Sequence, residues 1–535
     1  MWQRSSLLRF CRWFFSWRIL RRMVLLLVWL GTLVMLLYGI ENWRGRRAWL
    51  EYRSLVESRG EQLDFSAFFP KPVPDEQNFA STPSVRSWFI RGPAGELSPA
   101  LTAIDDYARL EQKVGPHFSK NGSPDARQFI DLVGWEMAFN ALRTGSVGPG
   151  QQFDSGRLDP ASRAKAAPAV LAGLSSIDAV VEELRQASHR PLCRYPVAYN
   201  VENPWGILLP HLHAIRNICE RLQLRACAEL ASGRTEPALA DVKLTFYLLD
   251  SLADEPFLIA FLVRLAGQPF ALQPVWEGLA EHRWSEPQLQ ELQRYLQRLD
   301  FLTDIKRPLD SERAAGVLTA DLIRRKGLGL LVALSGAGAP VSDQSVANFV
   351  GLFVPSGWYY QEQLTYCRLY EQGMGGLFDS QKRRIFPRQI DANSSALEAT
   401  MSNGHRNVCQ DILHHRVIAT LLFPALGKVP AKAAFAQVAA DQAAVACALE
   451  RCRLATGQFP EKLETLVPRF INTLPSDPCN GEAYHYRRTG QGDFVLYSVG
   501  WNETDDGGFP GHGVFDPKQG DWVWWLNAQR IWAQP

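Results

Sequence analysis

The chain of 535 residues lacks the short motifs through which enzymes most often declare their chemistry. It has no Gly-x-Ser-x-Gly elbow to present a serine and no glycine loop to cradle a phosphate. No His-Glu-x-x-His sets two ligands and a base on one helix. Its nine cysteines are irregularly spaced without a Cys-x-x-Cys pair, which argues against a metal finger. An excess of one charge is also missing. Lysine and arginine number 57 against 55 acids, so no net field favours a nucleic-acid partner.

One long apolar run is present. Met23 to Ile40 (MVLLLVWLGTLVMLLYGI) carries no charge. At about 1.5 Å per residue it crosses most of a hydrocarbon core of roughly 30 Å. A cleaved signal peptide has a shorter apolar core, and Tyr38-Gly39-Ile40-Glu41-Asn42-Trp43 lacks the small residues of a cleavage site. The run therefore predicts a single uncleaved transmembrane helix. Arg4, Arg9, Arg12, Arg18, Arg21 and Arg22 precede it; Arg44, Arg46, Arg47, Arg53 and Arg59 follow. That small bias, with the ease with which long domains translocate, predicts a cytoplasmic N-terminus and a periplasmic bulk at the inner membrane. Trp13, Trp17, Trp43 and Trp49 suit the two interfaces. Eight cysteines then lie outside the cytoplasm, which permits disulfides without requiring them.

The expected organisation has five parts. Residues 1–22 form a basic, aromatic cytoplasmic segment suited to an anionic leaflet. Residues 23–40 span the bilayer. Residues 41–97 combine a juxtamembrane helix with a stretch bearing Pro70, Pro72, Pro74, Pro83 and Pro93, read as a linker or a wrapping segment.

Residues 98–430 are helical. In their clearest unit Leu212, Ile215, Cys219, Leu222 and Ala226 share one helix face, Ser232-Gly233-Arg234 breaks the pattern, and Leu244, Leu248 and Leu252 follow on a second helix. This resembles a tetratricopeptide-type hairpin, yet no clean 34-residue period recurs, which leaves an irregular bundle or solenoid. Leu328 to Ala339 is too short to span and reads as a buried helix or loop.

Residues 431–535 are predicted to form an α+β module. Phe435, Val438, Val445, Leu449 and Cys452 lie on one helix face, and strands follow at Ala483 to Arg488, Phe494 to Gly500 and Trp522 to Leu526. A helix packed across a small antiparallel sheet is the expected arrangement.

Gly457, Phe459-Pro460, Leu463, Leu466, Pro475, Asp477-Pro478, Gly481, Tyr484, Tyr486 and Leu496-Tyr497-Ser498-Val499-Gly500 occur in an order that resembles the globular module of type II secretion major pseudopilins. That resemblance implies a packing and assembly module with calcium in the loop after the second strand. Here the loop offers Asp505 and Asp506, with Asp521 just before the last strand. The alternative is that these acids cap turns and face water. No Gly-Phe-Thr-Leu-x-Glu signature precedes Met23, and the whole helical body separates span from module, so the resemblance implies a borrowed fold rather than an ordinary filament subunit.

Other candidates for chemistry are sparse. His405, Cys409, His414 and His415 cluster in sequence but do not share one helix face. His211 and His213 face different sides of a helix start, with satisfied hydrogen bonding the expected role. Asp254, Glu255 and Glu277 read as a solvated face.

The sequence therefore predicts a non-enzymatic, membrane-anchored scaffold or assembly protein of the bacterial cell envelope. It would contact lipid and other envelope proteins. Two alternatives stay open. One is a hydrolase with its site between helical body and terminal module; the other is a glycan or peptide reader using Trp501, Trp522, Trp524 and Trp525.

Overall fold

The computed structural model describes residues 17–90, 128–146, 151, 153–330, 345, 348–349, 351–379, 382–402, 408–423, 426–489, 492–511 and 515–526. The basic segment before Trp17, Pro93, residues 331–339 and His405 lie outside them. In chain order the longer helices are α1 (Trp17–Ser58), α2 (Leu132–Thr144), α3 (Pro160–Leu174), α4 (Asp178–Ala187), α5 (Pro210–Ala231), α6 (Thr235–Asp250), α7 (Leu258–Ala280), α8 (Glu286–Leu296), α9 (Lys306–Lys326), α10 (Ser356–Met374), α11 (Pro387–Ser402) and α12 (Val429–Thr456). Strands β1 (Phe378–Asp379) and β2 (Arg384–Ile385) pair antiparallel. So do β3 (His485–Thr489), β4 (Asp493–Ser498) and β5 (Trp522–Trp525), in that order. The protein is mainly α with small antiparallel sheets.

The described residues fall into two compact units of interleaved chain. The first draws on Met1–Phe65, Arg313–Gln372 and Leu397–Pro424; the second on Ser66–Glu312, Gly373–Ala396 and Ala425–Pro535.

In the first unit, α1 changes character along its length. None of its most apolar window is buried. Beyond it Gly45, Trp49, Tyr52 and Val56 are buried at steps of four, three and four, which is one face of a helix. Gly45 meets Gly357 at the start of α10 so closely that a Cβ on Gly45 would stand 2.3 Å from the Gly357 carbonyl oxygen. Deeper in the unit, buried Arg313 pairs with Glu61 at 2.7 Å and lies 5.3 Å from the Tyr370 ring centroid. Buried Glu362 accepts the backbone N–H of Val417 and of Ile418, both at 3.1 Å, and so caps the helix Val417–Leu422.

In the second unit, α5 and α6 form a helical hairpin turned at Gly233, whose φ of 76° suits glycine. Leu212, Ile215, Cys219 and Leu222 of α5 meet Leu244 and Leu248 of α6 in one core. Phe79, Ala80, Val85 and Trp88 join that core, so the proline-bearing stretch contributes packing and is more than a linker. Helix α7 is apolar enough to qualify as a span by composition, but most of that window is buried in the protein. Its two charged residues, Arg264 and Glu277, both pair internally.

Helix α12 is buried almost all round from Val429 to Cys452, which fits its alanine-rich sequence. Gly457 caps it at φ 82°. Phe435 of α12 stands edge-on to Trp522 of β5 at 5.3 Å, and Gln442 donates to the Trp522 carbonyl at 2.6 Å. From α7, Trp276 donates to the Trp525 carbonyl at 2.7 Å. These two side chains satisfy carbonyls along an edge strand that would otherwise offer itself for pairing.

Candidate functional site

The residues that carry the C-terminal sequence pattern are used in packing. Phe459 meets Phe494 edge-on at 5.0 Å, and Tyr486 donates to the Pro460 carbonyl at 2.7 Å. Asp477 is buried, where desolvation pushes its carboxyl up; it accepts from Cys479 N at 2.9 Å and Val499 N at 3.0 Å. It thereby pins the turn before β3 to the end of β4. Tyr484 donates to buried Asp441 of α12 at 3.2 Å.

The loop between β4 and β5 holds the three acids singled out from sequence. Asp521 is buried at the foot of β5 and accepts from Gly508 N at 2.6 Å and from Asp506 N at 3.2 and 3.1 Å. Burial pushes its carboxyl up to about 6, against the pull of those two amides. Asp506 accepts from Gly520 N at 3.1 Å and Asn502 Nδ2 at 3.2 Å. Asp505 turns to Gly507 N at 2.9 Å and the Tyr497 hydroxyl at 3.1 Å, with His485 at 3.5 Å; the Gly507 amide leads in holding its carboxyl below the usual range. Positive φ at Gly507, Gly508 and Gly520 turns their amides toward these acceptors. The acids accept the loop's own N–H groups together with the Asn502 and Tyr497 side chains. Among the described residues no group of three or more His, Cys, Asp or Glu is arranged to hold a metal.

Trp501, Trp522, Trp524 and Trp525 are all buried, so none presents an open indole face to a sugar. Between α7 and α12 lies a cavity of about 290 Å³ lined by Leu265, Pro269, Leu272, Phe435 and Phe515, with Lys432 at its margin. Among the described residues its lining contains no carboxylate, histidine or cysteine. The described lining residues therefore supply no general acid/base pair.

A second cleft of about 500 Å³ is charged, with Lys71, Arg194, Arg307, Asp250 and Asp254 on its walls and Cys193 beside them. Both arginines hold backbone: Arg194 donates to Pro70 O at 3.0 Å and Arg307 to Phe68 O at 2.8 Å. Burial pushes the Cys193 thiol up to about 12, which makes it a poor nucleophile at neutral pH. Also in this unit, Glu255 is buried and pushed up to about 7 by desolvation, and His211 is pushed down to about 3 by the same cause. They stand 4.0 Å apart, beyond hydrogen-bond reach.

Two sequence expectations are corrected here. His211 has no hydrogen-bond partner on either ring nitrogen; its ring packs in a triangle with those of Tyr195 at 4.3 Å and Phe89 at 5.5 Å, which lie 6.4 Å from each other. Glu255 and Glu277 are buried rather than solvated. Of the histidine and cysteine cluster, His414 is exposed and His415 half-buried, while His405 and the Cys409 side chain lie outside the described residues. The seven described cysteines are free thiols and six of them are buried.

Sequence reading missed the charge networks built on buried arginines. Arg163 pairs with Glu277 and, at 2.7 Å, with Glu281. Arg264 pairs with Asp250 at 2.9 Å and Asp304 at 2.5 Å, and Arg451 with Glu286 at 2.8 Å. The available signal was a lone charge in an otherwise apolar helix, as in α7.

Comparison with known protein families, with curated proteins and with solved structures finds no match to this chain.

Proposed function

We propose that this protein is a membrane-anchored scaffold or assembly protein of the bacterial cell envelope. In this reading residues 23–40 cross the inner membrane, the N-terminus is cytoplasmic and the bulk of the chain is periplasmic. The terminal module is pseudopilin-like and links the protein to a type II secretion-like system, with other envelope proteins as partners.

The observation that carries the reading is the two-part character of α1. Its apolar half has no protein to bury it, and the same unbroken helix then inserts Trp49, Tyr52 and Val56 into the first unit. A lipid phase covers such a length at no cost in unpaired backbone, because every amide is satisfied within the helix. Continuity gives the first unit a stiff mount on the membrane in place of a flexible tether. Further support comes from the pattern residues Phe459, Pro460, Asp477, Tyr484 and Tyr486, whose contacts build the module itself.

The test is a pair of reporters fused after Pro535, one active only outside the cytoplasm and one only within it. Activity of the first is expected; activity of the second alone would overturn the orientation. Crosslinking in intact cells followed by identification of captured envelope proteins tests the scaffold role. Capture of cytoplasmic proteins alone would sink it.

A further inference from the structure

We propose that the first unit rests on the bilayer at a second place, an apolar foot formed by Phe349, Leu352 and Phe353 beside the outer end of α1. The inference rests on the reading of residues 23–40 as a span. These side chains are 64 %, 77 % and 64 % exposed. Three large apolar groups so close in sequence and so open to solvent call for a cover.

The structure fixes their height. The Tyr38 hydroxyl donates to the Phe353 carbonyl, and Tyr38 lies two residues inside Ile40, the last apolar residue of the run. Asn42 Oδ1 accepts from Gly357 N at 2.8 Å and from Ser356 Oγ at 3.0 Å. The Gly45 and Gly357 backbones touch one turn further on. Residues 353–357 are thus fastened alongside residues 38–45. At about 1.5 Å per residue, Phe353 stands roughly 3 Å inside the end of the apolar run, which is the boundary between acyl chains and headgroups.

Charge and aromatic placement agree with that height. On α1, Arg44, Arg46 and Arg47 follow the span directly, and Arg324, Arg325 and Lys326 end α9. The α9 end is tied to the foot, since Gly329 N donates to Asn348 Oδ1 at 2.7 Å beside Phe349. Arg47 lies 5.4 Å from the ring centroid of exposed Trp43, and Arg324 5.5 Å from that of Tyr360. Glu41, Glu51 and Asp321 pair with members of this collar, which keeps a net positive charge. An apolar patch with a basic and aromatic rim suits an anionic lipid surface. The foot and the span would hold the first unit at two points and limit its rotation about α1.

The test installs the photocrosslinker p-benzoylphenylalanine in the full-length protein in vesicles of phosphatidylethanolamine and phosphatidylglycerol. Positions are Leu352, Phe353, Leu30 in the span and, as an exposed apolar control in the second unit, Leu208. Replacement at Phe353 keeps the phenylalanine ring and extends it from an exposed position, which keeps the test open should the Leu352 variant misfold. Irradiation is expected to give phospholipid adducts at positions 352, 353 and 30 by mass spectrometry, and none at 208. Adducts at 30 but not at 352 or 353 would overturn the foot and leave the span intact. No lipid adduct at 30 would overturn the span, and the foot with it. Crosslinks from 352 and 353 to protein instead of lipid would assign the patch to a protein partner and overturn the proposal equally.

Discussion

Arg163 of α3 and Glu277 of α7 form an ion pair in which each side chain is only about 1 % exposed. Around it Ile130 N donates to Glu277 at 2.8 Å, Gln273 at 3.0 Å, and the Phe129 ring centroid lies 4.6 Å from the guanidinium. Removing Glu277 leaves the buried guanidinium to Glu281 and strands the Ile130 amide, a loss toward the lower end of the about 3–5 kcal/mol that breaking a buried pair costs. Glu277→Ala should therefore lower the urea midpoint of the detergent-solubilised protein sharply, whereas Arg163→Met combined with Glu277→Met should recover most of the loss. Equal losses in the single and double variants would show that the pair itself is not the source of the effect.

The pair illustrates where sequence reading stops. Periodicity reports the face that a helix turns to one neighbour, so Leu212, Ile215, Cys219 and Leu222 of α5 were legible before the fold was known. Helix α12 was legible as a helix, but its surroundings were not, because Gln437, Asp441 and Gln442 are buried alongside its alanines and no polar side marks an exit to water. The acids Asp505, Asp506 and Asp521 were visible in the chain. What they bind depends on which way the amides of Gly507, Gly508 and Gly520 point, and side-chain pattern does not encode that direction.

His211 tests the price of unpaired polar atoms directly. Both ring nitrogens are buried without a hydrogen-bond partner, a situation that costs about 1–3 kcal/mol. Phenylalanine keeps the ring contacts with Tyr195 and Phe89 and removes both nitrogens. His211→Phe should raise the melting temperature. A fall of several degrees would show that the imidazole has a polar role.

Two glycines of α1 make a matched comparison. A Cβ at Gly45 would strike the Gly357 carbonyl, while a Cβ at Gly39 would meet nothing within 4 Å. Alanine improves helix propensity at either site by roughly 1 kcal/mol, so propensity alone predicts the same gain twice. Gly39→Ala should leave protease resistance of the first unit unchanged, and Gly45→Ala should reduce it. Equal behaviour would remove close backbone packing as the basis of the α1 contact with α10.

Acid should stabilise this protein over the neutral range. Burial pushes Glu362 up to about 8 and Asp441, Asp241 and Glu255 up to about 7. An unfolded carboxyl titrates near roughly 4, so between these values the folded state binds protons that the unfolded state has shed. The stability from each group is complete below the unfolded value and is lost as pH rises through the folded one. Melting temperature should climb as pH falls from about 8.5 to about 5.5, and Glu362→Gln should flatten the upper part of that slope. A melting temperature that stays level or drops on acidification would contradict the burial of these acids.

Calcium gives the last test. A cation entering the β4–β5 loop would compete for Asp521 with Gly508 N and Asp506 N and for Asp506 with Gly520 N, or share the carboxylates with them. Each such bond to a charged acceptor contributes about 1.5–3 kcal/mol, so a cation that displaced them would have to outweigh that loss before it added stability. Ligand that binds only the folded state stabilises by RT ln(1 + [L]/Kd), about 2.7 kcal/mol at a hundredfold excess over Kd, which a melting curve resolves readily. Melting of the full-length protein should be the same in millimolar calcium and in chelator, while Asp521→Ala should lower it in both by stranding the loop amides. A rise of several degrees with calcium, abolished by Asp505→Ala or Asp521→Ala, would show that the loop rearranges around the ion and that its amide contacts are the resting state of a calcium site.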